Sequence, residues 1–276
     1  MDYSIWPWKV VIPSYSRNEY LITHSLALCF KMNIPQENIY IFVATNQKQD
    51  YEKSLKEYTK LTIIDGPIGL KNMRNFITGF FKDGEALLCM DDDIDNFWTL
   101  YEDVNVPDTM KGAHWKLKNM PASVFYHFTT DAYNKMIEHK KNLFGIYPVK
   151  NGFFMKDLLE ITYDPRFCVG TFWGIINTRC AFQITMDEKE DMERSILYAL
   201  HDKGVIRYNH ITLSTKYYKT LGGMQTNTSY SIRIANSIES SKKLVDKYPH
   251  ICQLYKGKKN GMCEVRFKRG LNLMEI

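Results

Sequence analysis

Between Glu85 and Asp95 the chain reads Glu-Ala-Leu-Leu-Cys-Met-Asp-Asp-Asp-Ile-Asp. A short apolar run, Ala86 to Met90, meets three consecutive carboxylates, Asp91, Asp92 and Asp93, and then Asp95. Apolar residues that end sharply in polar ones describe a buried strand of a parallel sheet. Three adjacent carboxylates at the tip of such a strand repel one another, and a divalent cation held by hard oxygen ligands offsets that repulsion. A solvated acidic turn is the plainer account of the same residues.

Three other stretches carry types suited to chemistry. In Gly69-Leu70-Lys71-Asn72-Met73-Arg74-Asn75 the glycine lets backbone approach a ligand, and the helix that follows offers free N–H groups to an anion. Lys71 and Arg74 can neutralise a phosphate, Arg74 with bidentate geometry; pairing with a surface carboxylate is the alternative. Glu190 and Asp191 stand at the start of a helical pattern, where acids complement the helix dipole, and where a carboxylate facing a cleft also serves as a general base. His210 lies in an apolar segment; as a lone histidine it is a structural residue, or an imidazole ligand beside a carboxylate-held metal.

The elements that position these residues follow from periodicity. Lys9 to Pro13, Ile39 to Ala44, Leu61 to Ile64 and Ala86 to Met90 read as strands, separated by helical patterns over 19–32, 49–58 and 71–81. Strand and helix alternate, which predicts a parallel sheet with helices on both faces. Ligands of such sheets bind beyond the carboxyl ends of the strands, and Ser14 to Asn18 and Asp91 to Asp95 both lie there. Residues 97–118 show a weak pattern. Ser123 to Lys140 reads as an amphipathic helix, Phe167 to Asn177 as a strand whose glycines mark a bulge or a close backbone approach, and Val205 to Leu213 as one strand. Trp173 and Phe172 form a stacking wall or core there. Gly222-Gly223-Met224 is a polar loop before a helix over 229–245.

Bulk properties agree with a folded chain. Its 276 residues are 45% hydrophobic, 24% charged and 14% aromatic, which excludes long disordered tracts. The net charge is +5, with basic residues gathered at Lys242, Lys243, Lys247 and from Lys256 to Arg269. That tail is a phosphate-contacting surface or simply a solvated one. Six cysteines lack zinc-like spacing and suit a reducing compartment. Met1 to Trp8 lacks the features of a signal peptide, and no stretch approaches the roughly 20 apolar residues of a membrane span. A soluble, cytoplasmic protein without membrane partners is expected.

Taken in order, Ile12-Pro-Ser-Tyr-Ser-Arg17, Gly69 to Asn75, the Asp91-Asp92-Asp93 strand end and Glu190-Asp191 resemble the nucleotide-sugar glycosyltransferases of GT-A fold. The aspartate row is similar to the metal-binding DXD motif. More narrowly, Met90 to Asp95 and Gly222-Gly223-Met224 resemble the glycosyltransferases associated with TET/JBP oxygenases, the base J type, and related phage enzymes that act on modified DNA bases. The resemblance implies an α/β, Rossmann-like, mostly parallel twisted sheet flanked by helices, with a smaller mixed C-terminal sheet region. It implies one domain over 1–276, with a nucleotide-sugar half over 9–95, an acceptor half over 96–235 and a basic extension over 236–276.

The same resemblance implies site roles. Donor binding falls to Pro13, Ser14, Tyr15, Arg17, Asp65, Gly69, Lys71, Arg74, Asn75, Asp91 and Asp92. Asp93, Asp91 and His210 hold Mn²⁺ or Mg²⁺; Asp191, with Glu190, supplies the base of an inverting reaction; Trp173, Gly170, Gly222 and Gly223 face the acceptor. The donor is a nucleoside-diphosphate sugar of UDP type, and the acceptor a hydroxylated or hydroxymethylated pyrimidine in DNA, in the host cytoplasm for a phage enzyme. A transferase for polysaccharide or a small molecule, and a non-catalytic nucleotide- or DNA-binding module, are the alternatives.

Overall fold

Strands β1 (Trp8–Ser14) and β4 (Ala86–Met90) lie side by side at the centre of the sheet, and every residue of β4 is buried. The computed structural model describes residues 6–106, 114–178, 182–215, 230–255 and 263–273. β1 pairs in parallel with β4 on one side and with β2 (Ile39–Ala44) on the other, and β2 pairs in parallel with β3 (Thr62–Gly66). Strands buried on both faces must be apolar throughout, and alternate residues feed two separate cores. Val10, Ile12, Leu88 and Met90 pack with the helical segments over 18–31 and 122–138. Val11, Leu87 and Cys89 pack with the helices Leu70–Phe80, Glu190–Asp202 and Tyr230–Lys247.

Beyond β4 the sheet turns mixed. β9 (Phe172–Ile176) runs antiparallel to both β4 and β7 (Leu143–Ile146), β10 (Ile206–Tyr208) is parallel to β7, and the two-residue β8 (Ile161–Thr162) closes the edge antiparallel to β10. The full order is β3-β2-β1-β4-β9-β7-β10-β8. The strand expected over Phe167 to Asn177 therefore begins at Phe172, and the residues before it run along the acidic edge. Gly174 marks neither bulge nor ligand: a Cβ there would lie 2.0 Å from the Phe144 ring, so the missing side chain lets Phe144 cross the strand.

Residues 97–118, unpatterned in the sequence, contribute β5 (Ile94–Glu102) and β6 (Trp115–Asn119), which form a three-stranded antiparallel sheet with β11 (Ile211–Thr215). The single strand expected over Val205 to Leu213 is thus two strands in different sheets, split at the turn Asn209-His210. Part of the basic tail is an antiparallel hairpin, β12 (Cys252–Tyr255) with β13 (Glu264–Phe267). The smaller sheets are antiparallel rather than mixed, and one of them draws on the middle of the chain. Cys29, Cys89, Cys168, Cys252 and Cys263 are free and buried; burial pushes the Cys29, Cys89 and Cys168 thiols up to about 12. Among the described residues no helix is long and apolar enough to cross a membrane.

Gly174→Ala should cost about 1–3 kcal/mol through overpacking against Phe144. A lower urea midpoint is expected, partly recovered in the Gly174→Ala/Phe144→Leu double variant; an unchanged midpoint for the single variant would refute the packing account.

Candidate active site

The three aspartates occupy the turn between β4 and β5. The Asp91 N–H still donates to the Thr171 carbonyl (2.9 Å), extending the rung between β4 and β9. The turn is closed by Ser25: its hydroxyl donates to the Asp91 carbonyl (2.6 Å) and accepts from the Ile94 N–H (2.9 Å). Ser25 lies in a π-helical stretch, Ile22–Leu26, between the α-helical pieces Asn18–Leu21 and Ala27–Lys31. Such π-turns are local departures from α geometry that recur at functional sites. In the sequence Ser25 reads as one more position of an apolar helix face.

Asp92 is the buried member of the row. Ser14 donates to one of its oxygens (2.6 Å) and Arg17 to the other (3.1 Å). The single Ser14 proton goes to Asp92, so Tyr51 donates to Ser14 (2.8 Å) and in turn accepts the Arg17 N–H (3.1 Å). Arg17 also approaches Asp93, at 3.5 Å. Burial is the main influence raising the Asp92 carboxyl, opposed by Ser14 and Arg17. Asp91 and Asp93 remain the more open members, their side chains 37% and 16% exposed. Asp95 faces His24, at 3.4 Å.

On the other side of the row, Arg74 donates from Nη2 to Asp91 (2.8 Å) and to the Gly170 carbonyl (3.2 Å). The Gly170 N–H donates to Asp191 (3.3 Å). One peptide residue thereby links the aspartate row to the carboxylate at the start of the Glu190–Asp202 helix. A Cβ on Gly170 would stand 2.9 Å from Glu190 Oε1 and 3.2 Å from the Asp191 Cβ, which is why this position has none. Glu190 accepts from Arg194 (2.7 Å) and lies 3.8 Å from Arg74 Nε. Burial, and then Glu190, raise the Asp191 carboxyl. Burial pushes Asp91 up to about 7, Arg74 opposing and Asp93, Asp92 and Glu190 adding to it.

Several expected site residues stand elsewhere. His210 sits on the turn before β11; its carbonyl accepts the Leu100 N–H, and its Nε2 donates to the Leu158 carbonyl (3.0 Å). β11 pairs Ile211 with Thr99 and Thr215 with Ile94, so six strand residues, roughly 20 Å, separate His210 from the aspartate end of β5. It is therefore set apart from the metal ligands expected with it. Trp173 is buried, with the Arg194 guanidinium 3.8 Å above its ring, and presents no open stacking face. Asn75 clamps Ile184, donating to its carbonyl (2.9 Å) and accepting its N–H (2.8 Å), a packing role in place of donor contact.

Gly69, with φ +96°, precedes the Leu70–Phe80 helix as a glycine-favoured cap, but the Lys71 N–H donates to Asp187 (3.0 Å) and Lys71 Nζ lies 4.0 Å from the same carboxylate. A distant carboxylate holds the helix start expected to take a phosphate. Pro13 and Ser14 end β1 opposite Phe42 and Val43, and Tyr15 follows, half-buried. Asp65, at the end of β3, pairs with Lys48 (2.8 Å), whose hydrogen bond lowers its carboxyl. Lys247, counted in the basic tail, is paired with the fully buried Glu193 (2.8 Å). Gly222 and Gly223 lie outside the described residues.

Asp91 and Asp93 present hard carboxylate oxygens at one edge. A magnesium-type ion is held by one or two carboxylates, with water and substrate phosphate completing its shell. Among the described residues no three His, Cys, Asp or Glu side chains gather as an all-protein cage. The donor set fits a hard divalent cation that arrives with a phosphate ligand.

No protein-family model and no curated protein matches the chain. Among solved structures it is similar to the mannosyltransferase PcManGT from Pyrobaculum calidifontis in complex with GDP-Man and Mn²⁺, with a TM-score of 0.50 and 10% identity. The match covers 91% of this chain and 65% of that one, so the chain spans about two thirds of the length of that relative. At this identity the likeness shows the fold, a Rossmann-like arrangement of GT-A type. Weaker likenesses include 4-diphosphocytidyl-2C-methyl-D-erythritol synthase from Anaerococcus prevotii DSM 20548 (TM-score 0.40, 12% identity, 84% of this chain and 96% of that one). A CMP:2-keto-3-deoxy-manno-octonic acid synthetase complexed with CTP follows (TM-score 0.37, 6% identity, 86% and 100%); both are too distant to carry an argument.

Ser25→Ala should leave the Asp91 carbonyl and Ile94 N–H unpaired and cost about 1–3 kcal/mol. The check is the denaturant midpoint together with amide exchange over 91–94, which should accelerate; slow exchange there would show that the turn does not depend on the hydroxyl.

Proposed function

We propose that the chain is a metal-dependent transferase that moves a sugar from a nucleoside-diphosphate sugar to an acceptor hydroxyl. The observation that carries this is the link through Gly170, whose N–H meets Asp191 while its carbonyl shares Arg74 with Asp91. A base and a phosphate-binding edge need that proximity, because proton removal and leaving-group stabilisation act on one reacting centre. Asp93 and Asp91 would hold Mn²⁺ or Mg²⁺, which when bound supplies charge neutralisation on the leaving diphosphate. Arg17 would lie beside the phosphates while Arg74, 4% exposed, holds Asp91 from within the core, and Asp65 and the Pro13-Ser14-Tyr15 strand end lie toward the nucleoside. Asp191 takes the proton of the acceptor hydroxyl as its oxygen bonds to the anomeric carbon and the bond to the diphosphate breaks, with inversion. A raised carboxyl suits that role, since raising the pKa of a carboxylate makes it the stronger proton acceptor.

The narrower reading takes a UDP-sugar as donor and a hydroxylated or hydroxymethylated pyrimidine of DNA as acceptor. Its support is the family resemblance of the aspartate segment and the basic C-terminal residues; a duplex base would have to be extruded to react. The test is incubation with a panel of nucleotide sugars, Mn²⁺ and DNA carrying modified pyrimidines, followed by mass analysis of the bases. Transfer to a small hydroxyl compound but not to DNA would keep the chemistry and replace the acceptor.

Asp93→Ala should abolish metal-dependent donor hydrolysis and transfer, and Asp191→Asn should keep donor binding while slowing transfer by about 10²–10⁴-fold. Full activity of Asp93→Ala would overturn the proposal.

A pH dependence follows from Asp91. A raised carboxyl keeps its proton in the folded chain, and a cation binds only the ionised form. Mn²⁺ affinity should therefore be at its plateau near pH 8 and about tenfold weaker at pH 6, one unit below the Asp91 value of about 7. Calorimetric titration at the two pH values measures this; equal affinities would refute the pairing of a raised Asp91 carboxyl with a ligand role for it.

A further inference from the structure

Behind the Gly170 link lies a cavity of about 20 Å³, lined by Arg74, Trp173, Arg194 and Tyr198 with Thr78 and Ile184 among its walls. It has room for about one water-sized particle. Among the described residues no carboxylate lines it. Arg74 Nε and Nη1, Arg194 Nε and Nη2, and Trp173 Nε1 are all buried and find no hydrogen-bond partner among the described residues. The side chains that carry these five nitrogens are built into the core: Arg74 is 4% and Arg194 3% exposed, and Arg194 stacks on the Trp173 ring at 3.8 Å.

Buried donors left without acceptors cost about 1–3 kcal/mol each, more for charged groups, and native proteins place a partner there. Among the described residues the acceptors of these two guanidiniums lie on the far side: Arg74 reaches Asp91 and Gly170 with Nη2 and stands 3.8 Å from Glu190 with Nε, and Arg194 reaches Glu190 with Nη1. The nitrogens with no hydrogen-bond partner are the remaining ones. A single water accepts only two hydrogen bonds; the Thr78 and Tyr198 hydroxyls can take its protons, but it cannot serve all the unpartnered nitrogens of two cations. A halide accepts from several N–H groups at once and donates none.

We propose that this cavity binds a small monovalent anion, chloride or its equivalent, bridging Arg74, Arg194 and Trp173. The anion holds the two guanidiniums apart and in register, and so fixes Glu190 and the Gly170 carbonyl from behind. The site shares Arg74 with the proposed transferase site but does not rest on that reading, because neither donor nor acceptor enters the argument.

The experiment uses the whole chain, purified in gluconate and then exchanged into chloride or bromide at constant ionic strength. Bromide-soaked crystals should show an anomalous peak within hydrogen-bonding distance of Arg74, Arg194 and Trp173. Thermal unfolding should show a saturable rise of about 3 °C at an anion concentration ten times its dissociation constant. Thr78→Met, which fills the cavity from a wall that makes none of the three contacts, should remove both the peak and the anion-dependent rise while general salt effects persist. Ordinary water density without anomalous signal would overturn the proposal, as would an unfolding midpoint identical in gluconate and bromide.

Discussion

Three carboxylates in consecutive positions at a strand end are tolerable only because two guanidiniums divide them. Arg17 takes Asp92 and approaches Asp93, while Arg74 takes Asp91. Neither arginine is a surface ornament. Arg17 comes from the loop just after β1, and Arg74 from a buried turn of the Leu70–Phe80 helix on the opposite face of the sheet. The row is therefore gripped from both layers of the fold, and removing either cation would leave a partly desolvated negative charge behind. The parallel order β2-β1-β4 is what brings the end of β1 beside the row.

The antiparallel β9 is the second requirement. A parallel strand beside β4 would deliver its carboxyl end to this edge; β9 instead delivers the residues that precede it, and Gly170 among them. That lets a main-chain N–H and carbonyl, rather than another side chain, connect Arg74 to the helix starting at Glu190. The helix start is itself anchored from behind. Fully buried Glu193 accepts from the Thr185 N–H (2.7 Å) and hydroxyl (2.6 Å) and from Lys247 (2.8 Å), so the C-terminal helix holds the helix that carries Asp191.

How legible this was depends on the range of each interaction. β1 to β4 were readable because strands buried on both faces are continuous apolar runs, and the aspartate row was readable because its oddity is local. Arg17 and Arg74 followed from the topology, Arg17 lying just past the end of β1 and Arg74 in the helix that follows β3. β5 and β6 were missed because β5 buries Ile94, Phe97 and Leu100 at a spacing of three rather than two, and β6 offers only half-buried Trp115 and Leu117. Val205 to Leu213 looked like one strand because Asn209-His210 is too short a break to interrupt an apolar pattern. Asn75, Asp187 and Ser25 were misread or unseen for one reason: each acts on backbone more than 60 residues away. A polar residue's partner at that separation leaves no spacing to recognise. The Asp191–Gly170 contact spans only 21 residues but is equally without a recognisable spacing, and only the acidic pair at a helix start hinted at it.

The same geometry divides labour within the row. Asp92 has both oxygens engaged by Ser14 and Arg17, and it ties the β1 loop to Tyr51 through the same network. A ligand that took Asp92 would have to break that network and expose a buried carboxylate. Asp91 and Asp93 flank it and are less buried, each with one arginine contact that a better cation could replace. The central aspartate is thus the residue that holds the edge in shape, and the outer two are the ones free to change partners.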